Sequence, residues 1–404
     1  MQRSLVLNEC KVLNALRTYG EMTRSHISQR TGLSQTTISE IVERLVLDGL
    51  VITGEGASSG GRKPTVYRLN GDACYAIGID IGTVNIRIAI VDAAGTVISS
   101  IRGKRCPDSE RRMDIDNVIS LALELVERQD VPRGLLKGIG IGVTGIVDET
   151  SGTSLFVPGW PCWRDYPVVE TFRHATGLSS VILTDSARAM ALSESRYGLG
   201  KALTDFVLVN IGVGLGAGIM VDGKLVTGYR GISGELGHIY VGRSDEICVC
   251  GNYGCLESVA SGWALTRHAS EDIADGVITS IDDFTDPADA TLIPSIIKAA
   301  GEGDKYAVNL LDQAADHLSI GVSTLINLLN PQRIIIAGGF AQGAGSLLMD
   351  SLIRRTKARS LPWLRPDIDM RLSELGEFSA TRGAATLALD HFFKHDASMS
   401  SIET

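Results

Sequence analysis

The stretch that most constrains this chain runs from Gly234 to Glu257, GELGHIYVGRSDEICVCGNYGCLE, where His238, Cys248, Cys250 and Cys255 lie between the carboxylates Glu235 and Glu257. Imidazole and thiolate are preferred ligands of Zn2+, and four of them complete a tetrahedral shell with no open position, so the pattern predicts a structural zinc site that staples a loop. Gly251 and Gly254 fall between the last two Cys, where the backbone must turn tightly to return a thiolate to the metal. The other Cys, at 10, 74, 106 and 162, are scattered without a disulfide pattern, which suits a reducing compartment. With no signal segment and no run of about 18 apolar residues, the expected location is the cytoplasm, away from membranes.

Charge divides the chain. The first 70 residues carry nine Lys or Arg and six acids, a balance of about +3 within a total of -9. A basic module joined to an acidic body is the footprint of a DNA reader. Leu5, Leu7, Val12, Leu13 and Leu16 recur at helical spacing up to Gly20, and a second short helix follows Thr23 with Ile27 inward. In TGLSQTTISEIVERLVLDGL, Gly32 makes a turn and Ser34 caps a third helix with Ile38, Ile41, Val42 and Leu45 inward. That is a helix-turn-helix. Ser34, Gln35, Thr36, Thr37, Ser39 and Arg44 are its candidate DNA contacts, reaching base edges and phosphates from the major groove. The segment VITGEGASSGGRKPTVYRLN reads as a two-stranded wing whose tip carries Arg62 and Lys63 toward a phosphate or a minor groove. A three-helix protein-binding module is the competing reading.

In the body, AIGIDIGTVNIRIAIVDAAGTVISS from Ala76 reads as a hairpin of apolar strands, and VILTDSARAMALSE places Asp185 at a strand end before a helix. Trp160 and Trp163 are candidates to stack on a sugar face, or to pack a loop. Asp272 to Ala290, rich in Asp, reads as a solvated loop including Asp282, Asp283, Asp286 and Asp289. Two helical stretches then lead to the strand Ile334 to Ala337 and a turn at Gly338 and Gly339.

The zinc-loop pattern GHxxxxxxxxxCxCGxxGCxE resembles the signature of the ROK family, which groups sugar-responsive repressors with sugar kinases. The resemblance extends over nearly the whole chain. It implies that Glu235, His238 and Glu257 contact a sugar, that Asp185 stands where the kinases hold their catalytic base and can equally bond a sugar hydroxyl, and that Thr184, a further sugar candidate, replaces the Asn before it. It also implies two phosphate loops, and both depart from the kinase pattern. Where kinases read DxGGTK, this chain has Asp80, Ile81, Gly82, Thr83, Val84 and Asn85, and Val213 replaces a Thr in the second loop. Each lost hydrogen bond to a charged group is worth about 1.5–3 kcal/mol, so nucleotide affinity is expected to be poor.

The expected fold is therefore α/β: an N-terminal winged helix-turn-helix at residues 1–70, then a two-lobed actin-like sugar kinase fold. Its first lobe is expected over 74–184 with a returning helix at 380–396, its second over 185–379. The expected function is a sugar-responsive regulator of carbohydrate genes, with Zn2+ as structural cofactor, operator DNA and a sugar as partners, and a homodimer or homotetramer as its form. It is not expected to be an enzyme. The alternatives are an ATP-dependent sugar kinase with an attached DNA-binding head, and a regulator answering to a protein partner.

Overall fold

The computed structural model describes residues 6–57, 63–104, 111–158, 160, 163–242, 246–281 and 292–393. Capping chemistry sets the first elements. Helix α1 (Leu7–Tyr19) stops at Gly20, whose φ of 79° is one that residues with a β-carbon avoid. After the short strand β1 (Met22–Thr23), Thr23 accepts the His26 amide to cap α2 (Arg24–Thr31), and Gly32 closes it in the left-handed conformation. Ser34 caps α3 (Gln35–Leu47) by accepting the Thr37 amide at 3.1 Å. Strands β2 (Val51–Glu55) and β3 (Thr65–Leu69) form an antiparallel wing, and β1 adds at the far edge of β3. The winged helix-turn-helix expected from the sequence is thus present, although Arg62 lies outside the described residues.

The first sheet begins with β4 (Tyr75–Ile81), β5 (Asn85–Asp92) and β6 (Val97–Lys104), followed by α4 (Arg111–Arg128) and by β7 (Leu136–Val143), which runs parallel to β4. A hairpin, β8 (Ile146–Asp148) and β9 (Thr153–Phe156), and α5 (Val168–Thr176) lead to β10 (Val181–Asp185). Their order is β10-β7-β4-β5-β6. Ile77, Ile79, Ile86, Ile88 and Ile90 are all buried, because helices cover both faces of this sheet and its strands need no polar side.

Helix α6 (Ser186–Tyr197) then crosses to a second sheet begun by β11 (Phe206–Ile211), β12 (Leu215–Val221) and β13 (Lys224–Leu225). Helices α7 (Leu256–Ala260), α8 (Gly262–Ala274), α9 (Leu292–Gly301) and α10 (Lys305–Leu329) precede β14 (Arg333–Ala337); α11 (Gly339–Ala344) and α12 (Ser346–Arg359) separate it from β15 (Met370–Leu372). This sheet has the order β13-β12-β11-β14-β15. The acidic stretch read as a loop from Asp272 instead begins inside α8, whose last turn includes Asp272; Asp282, Asp283, Asp286 and Asp289 lie outside the described residues.

Helix α13 (Ser379–Phe392) returns to the first sheet, and the part of the expected helix beyond residue 393 lies outside the described residues. It approaches the sheet and α6 at glycine contacts. A β-carbon on Gly140 would stand 1.8 Å from the Ala384 carbonyl oxygen, and one on Gly383 would stand 1.7 Å from that of Ala189. Helix α6 packs its Ala187, Met190 and Ala191 against Leu208 and Met220 of the second sheet. The two helices therefore form the layer through which the sheets meet. The head joins the same layer: Val12, Leu13, Leu16 and Leu45 share one apolar cluster with Ala89, Val91, Leu389 and Phe393. Among the described residues no helix is long and apolar enough to cross a membrane.

Gly140→Ala is expected to destabilise the chain by about 3 kcal/mol or more, because backbone cannot yield as a side chain does. Gly134→Ala, which meets nothing within 4 Å, is the matched control. Thermal unfolding of both variants measures the difference.

Candidate functional site

The end of β10 and the start of α6 position Asp185. Its Oδ1 accepts the amides of Ala187 at 2.8 Å and Arg188 at 3.1 Å, so the carboxylate caps α6 at the positive end of the helix dipole. Burial nevertheless pushes its pKa up to about 6, against the opposing pull of Arg188 and the two amides. Arg188 is buried, paired with Glu149 at 3.2 Å and donating to the Ser233 carbonyl at 2.9 Å.

Glu235 and Glu257 come from opposite ends of the Cys-rich loop. Burial raises Glu235 to about 7, with Asp185 and Glu257 adding to the rise and Arg188 opposing it. Glu257 is raised by burial as well, although its Oε2 accepts the Leu215 amide at 2.8 Å. Asp185, Glu235, His238 and Glu257 line one cleft with Thr144, Asn210 and the glycine-rich turn at Gly214. Carboxyl groups whose pKa is raised accept hydrogen bonds and, once protonated, also donate them, which suits an uncharged ligand rich in hydroxyls. The open space is about 50 Å³, far below the roughly 300 Å³ at which small-molecule sites begin.

The remaining atoms of His238 face the cysteines. His238 Nδ1 lies 3.6 Å from Cys248 Sγ, and Cys250 Sγ lies 3.7 Å from Cys255 Sγ. All four ligand atoms fall within 4.8 Å of one another. Bond lengths of about 2.3 Å to sulfur and about 2.0 Å to nitrogen give a tetrahedron with edges of roughly 3.5–3.8 Å, so this donor set fits one zinc ion. His238 Nε2 is left toward Glu235 Oε2 at 4.0 Å, and the imidazole thus joins the cysteine cluster to the cleft.

Three sugar candidates read from the sequence do not line this cleft. Thr184 is buried and donates to Glu149, because it precedes Asp185 on a strand and points to the opposite face. Trp160 is 3 % exposed and Trp163 fully buried, their ring centroids 4.7 Å apart in the first-lobe core. Neither ring presents a face to the cleft, since the apolar area of an indole is better satisfied by core packing. Asn210 was missed; its signal was a lone amide within the apolar strand VLVNI.

The two glycine loops are engaged with protein. Asp80 is buried, accepts Ser186 Oγ at 2.8 Å and faces Arg87 at 3.5 Å. In the second loop the carbonyls of Gly212 and Val213 accept the amides of Gly262 and Trp263 at the start of α8, at 2.9 and 3.0 Å. Gly338 packs so closely on β11 that a β-carbon would stand 2.4 Å from the Ile211 oxygen, a contact that closes the fold.

On the head, Gln35 and Thr36 are exposed at the start of α3. The hydroxyls of Ser34 and Thr37 bond each other at 2.8 Å, and Ser39 donates to the Gln35 carbonyl while facing Arg24 at 3.3 Å. Arg44 points toward α1, where it pairs with buried Glu9 at 3.4 Å. Lys63 on the wing pairs with Glu55 at 2.9 Å.

Comparison with known proteins places this geometry in context. A model of the ROK family matches residues 76–391, and one described as "Sugar-specific transcriptional regulator TrmB" matches residues 5–70. A xylose repressor of Caldicellulosiruptor bescii is 31% identical over 390 residues, 95% of each chain. A glucokinase of Thermotoga maritima is 29% identical over 314 residues, 77% of this chain but 96% of its own. A solved ROK family transcriptional regulator, a homolog of the E. coli MLC protein, superposes with a TM-score of 0.78 at 27% identity, covering 98% of this chain and 99% of its own.

Purified protein is expected to hold about one zinc ion per chain, measured by metal analysis, and Cys250→Ser to lose it with a lowered unfolding temperature. Metal-free wild type with undiminished stability would overturn the assignment. Because the folded pKa of Asp185 is raised, the protonated carboxyl favours the fold, and that contribution is lost as pH rises through about 6. Asp185→Asn keeps a capping oxygen, so it is expected to outlast the wild type in unfolding at pH 8, by at most about 3 kcal/mol, to lose about half of this advantage by pH 5 and most of it by about pH 4.

Proposed function

The chain belongs to the ROK family, and on that premise we propose that it is a sugar-responsive DNA-binding repressor of carbohydrate-utilisation genes, acting in the cytoplasm. One observation carries the reading. Helix α6 begins at Asp185 in the cleft and ends where Arg196 donates to Thr18 of α1 and pairs with Asp390 of α13. A single rigid element thus spans the candidate sugar site and the DNA-reading head.

In this reading Asp185, Glu235, His238 and Glu257 bind sugar hydroxyls, with Asn210 as a further partner. Zinc held by His238, Cys248, Cys250 and Cys255 keeps the imidazole and the flanking carboxylates in place and supplies no reaction chemistry. Admitting a sugar opens the cleft and moves the start of α6 relative to the second lobe. The far end of α6 then shifts the head, so a ligand that favours one lobe arrangement changes the population competent for DNA. Ser34, Gln35, Thr36, Thr37 and Ser39 approach the major groove, with Gln35 and Thr36 the most accessible. Arg44, Arg62 and Lys63 serve phosphates. In a homodimer or homotetramer, a change in head spacing alters the fit to paired half-sites.

The body is read as non-catalytic. Val84 in the first loop and Val213 in the second stand in place of hydroxyls, Asn85 stands in place of a Lys charge, and the named repressor matches over 95% of each chain. The kinase reading keeps one supporting observation: a carboxylate with a pKa near 6 in the cleft, Asp185, is suited to accept a proton from a sugar hydroxyl.

The test is titration of the DNA upstream of its own gene at fixed salt, with and without a panel of monosaccharides and disaccharides. At least a tenfold shift in affinity with one sugar is expected, about 1.4 kcal/mol of coupling, and no ADP is expected from ATP and that sugar. Turnover abolished by Asp185→Asn would establish the kinase instead, and indifference to every sugar would leave a regulator governed by a protein partner.

A further inference from the structure

A second cavity lies between the head and the body, remote in chemistry from the carboxylate cleft. It encloses about 380 Å³ and is lined by Arg17, Glu21, Arg68, Arg196, Lys201 and Arg382 among its charged residues. That volume falls within the range of small-molecule sites, roughly 300–1,000 Å³. Five cations face one carboxylate here, in a chain whose net charge is -9. The cations come from four elements, α1, β3, α6 and α13, and from the turn after α6, so no local sequence run explains their convergence.

Their existing partners do not neutralise them. Asp390 is the shared acceptor for Arg17 and Arg196, one carboxylate between two guanidinium groups. Arg382 is spent on neutral partners, its Nε donating to the Gly95 carbonyl and its guanidinium stacked 3.6 Å over the Tyr197 ring. Glu21, Arg68 and Lys201 are exposed. The Arg17 side chain is 3% exposed, and its Nη2 is buried with no hydrogen-bond acceptor among the described residues. A buried guanidinium N–H without an acceptor is costly, and it is relieved by an oxyanion that takes several donors at once.

We propose that this junction is a binding site for a small phosphate-bearing anion, inorganic phosphate or a phosphomonoester metabolite, separate from the sugar cleft. Bound there, the anion bridges α1 and β3 of the head to α6 and α13 of the body and stiffens the joint on which head placement depends. Guanidinium groups suit it because their planar forks match phosphate oxygens two at a time. The anion's effect on DNA affinity follows from which head arrangement it rigidifies.

The test uses the full chain and calorimetric titration with inorganic phosphate, at an ionic strength matched with chloride. Saturable binding is expected in the wild type, together with a rise in unfolding temperature that chloride does not produce. Arg68 and Lys201 are exposed, so Arg68→Ala combined with Lys201→Ala should fold normally and weaken phosphate binding at least tenfold. The proposal fails if the wild type shows no saturable binding, or if the double variant binds phosphate as tightly as the wild type. It fails also if the double variant loses only DNA affinity and salt dependence, which would assign these cations to the DNA backbone. A hexose phosphate run beside inorganic phosphate distinguishes the sources: tighter binding of the ester assigns the site to a metabolite, and equal binding assigns it to the free ion.

Discussion

Everything in this molecule passes through the contact between α6 and α13. The two helices meet at Gly383, where a side chain would collide with the Ala189 carbonyl, and α13 lies on the first sheet at Gly140 with the same intimacy. Backbone against backbone leaves no side chain to adjust, so this layer transmits displacement instead of absorbing it. Helix α6 also carries the second sheet on its other face. A change at either end of α6 therefore has few places to go except into the relation between lobes and head.

The proposed sensing chemistry depends on a division of labour within His238. One ring nitrogen faces Cys248 and the other faces Glu235. A metal on the first fixes the ring, and the ring presents the second to the cleft. Three carboxyl groups with raised pKa crowd the same space. They repel one another when ionised, and a neutral polyol is the kind of ligand that satisfies them without adding charge. In the proposed reading, the narrowness of the cleft couples ligand entry to lobe movement.

In the proposed non-catalytic reading, the glycine loops are set apart from the kinase pattern by what they retain and what they lack. Strand, glycine turn and strand persist, because the backbone path is needed to close the sheets and, at Gly212 and Val213, to dock α8. Val84 and Val213 stand where the kinase pattern has Thr hydroxyls, and Asn85 stands where it has a Lys. In that reading, movement between the lobes serves to place a DNA-binding head.

Local chemistry made much of this legible in the sequence. Caps at Thr23 and Ser34 and the stop at Gly20 depend on neighbours a few residues away, so helix-turn-helix and wing followed directly. Apolar runs such as IIIA predicted buried strands for the same reason, and the spacing of His238, Cys248, Cys250 and Cys255 predicted their convergence because few chain paths lie between them. Thr184 and Trp160 were misplaced because adjacency in sequence does not say which face of a strand a side chain takes or whether an aromatic ring is needed by the core. Asn210 in the cleft and the gathering of Arg17, Arg68, Arg196, Lys201 and Arg382 at the head-to-body joint were decided only by tertiary structure. The five cations are separated by up to 365 positions, and nothing local links them; only the packing of the head against α6 and α13 brings them to one place.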